Sequence, residues 1–116
     1  MAVNIYDDIN RLEETLRTTE EFLGVKQAIE NVKADPEALE MFKNFREIQV
    51  TLQEKQMAGE EIQPDELEHA QKTAQLSQQN PKIMAMLEAE MKLSGVIEEI
   101  NRIFMKPVQE LYETMN

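Results

Sequence analysis

Residues 81–107 read PKIMAMLEAEMKLSGVIEEINRIFMKP, and the fold turns on the periodicity of that stretch. Asn80-Pro81 supplies a capping side chain followed by proline at the first helical position, the order in which helices start. Ile83, Met84, Leu87 and Met91 then share one face. After residue 92 that face continues as Ser94, Glu98, Asn101 and Arg102. The apolar line moves to Leu93, Val96, Ile97, Ile100, Ile103 and Phe104, about half a turn round at ~100° per residue. A straight helix drifts only about 20° per heptad, so drift does not account for the move. The spacing predicts one helix from 81 to about 105 whose two halves pack on different neighbours. The small pair Ser94-Gly95 stands at the changeover and would permit close approach or a slight bend.

Downstream, Pro107 removes a backbone donor and clashes with the preceding turn, so a kink or a stop is expected there. Val108, Leu111, Tyr112 and Met115 resume helical spacing, which predicts a short C-terminal helix after the break. Upstream, Ile5, Ile9, Leu12 and Leu16 predict a first helix from about 4 to 17. Thr18-Thr19-Glu20-Glu21 reads as a capping box with Thr18 as cap and Glu21 at the third position. It opens a second helix to about Lys33 on Phe22, Val25, Ile29 and Val32. Asp35-Pro36 opens a third, ending near Met57 at Ala58-Gly59. Gln63-Pro64-Asp65-Glu66 opens a fourth, with acids where the helix dipole favours them. No stretch alternates as a strand does.

The predicted fold is therefore all-α: one domain over 1–116, an antiparallel bundle of about five helices plus the short C-terminal helix. At ~1.5 Å per residue the third and fifth helices would run roughly 30 and 37 Å. A chain of this length has a radius of gyration of about 13 Å, so both long helices span the molecule and should lie side by side.

A second apolar line points to a contact surface. On the third helix Met41, Phe42, Phe45, Ile48 and Leu52 form the usual stripe. Leu39, Val50 and Met57 lie on another side, 11 and 7 residues apart. With Val96, Ile100, Val108, Leu111 and Tyr112 they make the candidate interface of a homodimer.

The composition excludes several function classes. Of 116 residues, 23 are acidic and 12 are Lys or Arg, a formal net charge of −11. The basic residues are scattered, and phosphate backbones require a basic patch, so direct nucleic-acid binding is not expected. An anionic membrane would repel the chain for the same reason. MAVNIYDDIN is no signal peptide, and no apolar run nears the ~20 residues that span a bilayer, so a cytoplasmic protein is expected. The absence of cysteine rules out disulfides, thiolate catalysis and Cys-ligated clusters. Eight Met residues suit gap-filling in a core poor in aromatics.

Catalytic constellations are scarce. Glu66 and His69 stand at Glu-x-x-His spacing, the motif that di-iron bundles use twice. With a single histidine in the chain, only a symmetric dimer could assemble such a metal site, and this is the alternative to an interaction role. There is no second histidine for a triad, and no Gly-rich phosphate loop. Glu98 and Arg102 read as a surface i,i+4 pair. Neither catalytic nor cofactor-binding residues are assigned.

The stretch MFKNFREIQVTLQEKQMAGEEI, residues 41–62, with AQKT at 70–73 and MKP at 105–107, closely resembles the YheA branch of the YlbF/YmcA family of small helical bacterial proteins. The likeness runs over essentially the whole chain. It implies an all-helical fold seen as dimers, and a poorly defined function. The YlbF and YmcA members look like regulatory subunits of a complex that influences competence, biofilm, sporulation and RNA processing, with iron–sulfur clusters held on cysteines. This chain has no cysteine, so the cluster does not transfer. The expectation is a non-catalytic homodimer that binds another cytoplasmic protein.

Overall fold

The computed structural model describes residues 3–116. Among them run five helices and no strand: α1 (Ile5–Leu16), α2 (Glu20–Lys33), α3 (Pro36–Met57), α4 (Pro64–Gln78) and α5 (Pro81–Glu113). Three of the five begin at proline, for a local reason. A first-turn N–H has no intrahelical acceptor, so its loss is free there, and the residue before the ring can cap the exposed donors. Asp35 Oδ1 accepts from the N–H groups of Glu37 and Ala38 at 3.1 and 3.3 Å. Asn80 Oδ1 accepts from Lys82 and Ile83 at 3.0 and 3.2 Å. At the other end of α3, Gly59 takes φ +72°. The N–H of Glu60 donates to the Lys55 carbonyl at 2.9 Å and that of Gly59 to Gln56 at 3.2 Å. This is the paired closure that a left-handed residue makes possible.

Two expectations are corrected at helix ends. The cap of α2 is Thr19, whose Oγ1 accepts from Phe22 N–H at 3.2 Å. Thr18 Oγ1 donates back to the Thr15 carbonyl at 2.7 Å, so Thr18 closes α1 instead of opening α2. The larger correction concerns Pro107. It lies inside α5, which runs unbroken to Glu113, so there is no separate C-terminal helix. The comparison with the other prolines supplies the reason. Pro36 and Pro81 follow residues that cap, whereas Pro107 follows Phe104-Met105-Lys106, which offer no capping side chain for a new start. The residues after it are able helix formers, and one missing rung is a smaller loss than two uncapped helix ends.

The helices sort into two compact units. One is Lys26–Leu87; the other joins the segment ending at Val25 to Glu88–Asn116. In the first, α3 and α4 pack as a hairpin, tied near the turn by Lys55 and Glu66 across 11 residues of sequence. At the far end Lys82 meets Asp35 at 3.2 Å. The helix ordered along α3 is thus α4, its neighbour in sequence, and α5 enters this unit only over Pro81–Leu87; the expected pairing of the two long helices is not what builds it. The core of the unit is small: Ala28, Val32, Ala38, Ile83 and Met86, with Thr73 and Ser77 from α4. Small side chains on facing helices allow the backbones to approach closely.

Ser77 is 1% exposed, and its Oγ has no hydrogen-bond partner. A buried polar atom left without a partner costs about 1–3 kcal/mol. Ser77→Ala removes it at almost constant volume, so the urea midpoint is expected to rise, by about 1 kcal/mol of stability. A lower midpoint would show that the hydroxyl is satisfied in solution.

In the second unit no described side chain is buried. Its apolar residues stay open, among them Ile5, Ile9 and Leu12 on α1 and Ile103, Phe104 and Leu111 on α5.

Candidate interaction surfaces

The apolar line on α5 moves a few residues beyond the boundary between the two units. Residues up to Leu87 belong to one unit and those from Glu88 to the other. The division falls a few residues before Ser94-Gly95. A Cβ built on Gly95 meets nothing within 4 Å, so no close approach inside this chain requires a glycine there.

Beyond the division, the line continues through Val96, Ile97, Ile100, Ile103, Phe104, Val108 and Leu111. These positions recur at one, three and four residues, which keeps them on one side of a helix. Because α5 passes straight through Pro107, Val108 and Leu111 prolong the seam instead of folding onto a different face. Val96 and Ile100 are half-buried. Val108, Leu111 and Tyr112 are exposed, Leu111 at 69%. The other group of candidate residues sits on α3: Leu39 is half-buried, while Val50 and Met57 are exposed. The α5 residues thus share one helix and the α3 residues another.

A further surface was not singled out by the periodicity. Met41, Ile48 and Leu52 belong to the main apolar stripe of α3, yet they are only half-buried. With Leu76 of α4 they line an open groove of about 780 Å³, bordered by Glu37, Glu40, Glu47 and His69. The signal lay in the carboxylates, spaced three and seven residues apart beside the apolar positions.

Among the described residues four of the six ion pairs join residues three or four apart, while Lys55–Glu66 and Lys82–Asp35 join distant stretches of sequence. Both carboxylate oxygens of Glu66 accept from Lys55 Nζ, one at 2.6 Å, so Glu66 is committed to a cation of its own chain. His69 lies nearby on the groove and is exposed. Among the described residues no group of three or more His, Asp and Glu side chains gathers in a way that would hold a metal ion. Arg102 pairs with Glu99, not with Glu98 as spacing suggested. That hydrogen-bonded guanidinium holds Glu99 below the usual carboxylate range.

Asp35 is likewise held low, first by the Ala38 N–H it caps, then by Lys82. A depressed folded pKa means stability that is present above the ordinary carboxylate value and lost as pH falls through the folded one. Asp35→Asn keeps the capping oxygen and loses the charge. Between about pH 4 and pH 2, the wild-type melting temperature is expected to fall more steeply than that of D35N. Parallel curves in that window would show that the cap does not depend on ionisation.

Among the described residues no helix is long and apolar enough to cross a membrane. Comparison with known proteins places these surfaces in context. A family model described as control of competence regulator ComK, YlbF/YmcA, matches residues 5–109. A UPF0342 protein of Lysinibacillus sphaericus is 66% identical over 111 residues, 96% of each chain. UPF0342 protein YheA of Bacillus subtilis is 52% identical over 112 residues, covering 97% of this chain and 96% of that one. The solved structure of a protein of unknown function (DUF964) from Bacillus stearothermophilus superposes with a TM-score of 0.88 at 41% identity, over 97% of this chain and 98% of that one. A match over nearly the whole length, in sequence and in fold, places the chain in the YlbF/YmcA family beside the YheA proteins.

Proposed function

We infer that the protein is a non-catalytic helical interaction module that works in the cytoplasm as a homodimer with a regulatory role. The observation that carries this is the unit built around Glu88–Asn116, which holds most of a 33-residue helix yet buries no described side chain. A seam of aliphatic and aromatic residues with nothing over it is a liability for a solitary chain. A second copy is the occupant that fits. In a two-fold pair the same patch meets itself, so an apolar line is its own complement. The seam from Val96 to Leu111 is the continuous apolar area that would supply the ~800 Å² per partner of a standard stable interface. The family description, control of a competence regulator, supports a regulatory role; the partner it would act through is a second protein.

Equilibrium sedimentation at micromolar concentration is expected to give about twice the 13.5 kDa chain mass. A clean monomer would overturn the dimer reading.

A further inference from the structure

We propose that the groove between α3 and α4 docks a basic amphipathic helix of another protein. The inference deepens the interaction-module reading, because it names the chemistry of the partner. It uses residues of a different unit from the dimer seam, so the two stand or fall separately.

Three observations carry it. The floor is apolar and open: Met41, Ile48 and Leu52 of α3 and Leu76 of α4 line it, and Leu76 remains 54% exposed. Its length suits a helix. The lining residues of α3 run from Glu37 to Leu52, about 22 Å of helix at ~1.5 Å per residue, enough for a four-turn partner to lie along it. Its border has one sign. Glu37, Glu40 and Glu47 line the α3 side, and none of them forms an ion pair among the described residues. Glu66, at the end of the groove, is already neutralised by Lys55. Three unpaired carboxylates beside an apolar floor match a helix that inserts residues at i, i+4 and i+7 and flanks them with Lys or Arg.

Charge also selects between occupants. A second copy of this chain brings a net charge of −11, and its α1 carries Asp7, Asp8, Glu13 and Glu14 against Arg11 alone. Such a helix would set like charge against the border. A basic segment from a different protein gains there instead.

The test uses full-length protein and two synthetic 18-residue helical peptides, one of Leu and Lys in amphipathic register and one of Leu and Glu. Binding is read by fluorescence anisotropy and the site by amide hydrogen exchange. The Lys peptide is expected to bind and to protect amides of α3 and α4, while the Glu peptide does not bind. The triple variant Glu37→Gln, Glu40→Gln, Glu47→Gln is expected to weaken binding by about tenfold or more, as the loss of three surface charge pairs implies. Glu14→Gln, Glu98→Gln, Glu110→Gln changes net charge equally and is expected to leave affinity within about twofold. Equal weakening by both variants would show attraction to bulk charge only and overturn the proposal. So would protection confined to residues 88–116, or equal binding of the Glu peptide. Sedimentation of the same samples keeps the readings apart: a monomer that still binds the Lys peptide removes the dimer and keeps the groove, and a dimer with no such binding does the reverse.

Discussion

Ile83→Ala is expected to remove about 2–5 kcal/mol of stability, the range for truncating a fully enclosed aliphatic side chain. Ile83 is 0% exposed and lies among the few enclosed residues of its unit, with Val32 and Met86 each at 2%. A core this small has little else to collapse into the cavity, which favours the upper half of the range. Total stabilities are typically about 5–15 kcal/mol, so one methyl-rich side chain accounts for a large share. For a chain of this length, each kcal/mol moves the melting temperature by several degrees, roughly 4–8 °C. A fall of at least about 10 °C is therefore expected by circular dichroism. Because the cavity opens inside one unit of one chain, the shift should be the same at low and high protein concentration. A shift under a few degrees would mean that the unit relaxes around the loss.

A charge placed in the α5 seam should act in another way. Ile100→Asp sets a carboxylate at a half-buried position of the unit that has no enclosed side chains. If a second copy covers that position, the charge is desolvated without a partner, which costs several kcal/mol, about 10²-fold or more in association. Sedimentation is expected to give monomer at concentrations where the wild type is dimeric. The melt of the variant should lose the concentration dependence that linked association imposes on the wild type. Ser94→Asp is the control. It stands six residues earlier on the same helix, on the exposed polar side, and should leave the mass unchanged. A dimeric Ile100→Asp would place the interface elsewhere, with Val50 and Met57 of α3 as the next positions to charge.

Much of this architecture was legible because its signals are local. Asp35-Pro36 and Asn80-Pro81 fix helix starts through donors two and three residues away, and such short-range geometry leaves little for tertiary structure to override. The apolar line on α5 moves near residue 92, close to the boundary between the two units. What escaped was anything requiring a balance between costs. Pro107 carries the same ring as Pro36, and only the lack of a capping residue before it decides that the helix continues. Thr18 and Thr19 are chemically equivalent; the tight turn after α1 chooses between them. The groove on α3 was not legible because periodicity reports which residues share a face, not whether that face is covered. Met41, Ile48 and Leu52 share a face and remain at the edge of an open groove.

Pro107 leaves the Ile103 carbonyl without the N–H that would normally close its turn. A ladder with one rung absent does not come apart, but it no longer opens as a single piece. Amides at 108–113, the last turns of α5, can exchange with solvent by fraying up to the gap, while those between Pro81 and Ile103 require a larger excursion. The helix therefore behaves as a rod with a detachable end. If a second copy covers the seam, its final turns, with Leu111 and Tyr112 outermost, are the part expected to engage or release at the lowest cost.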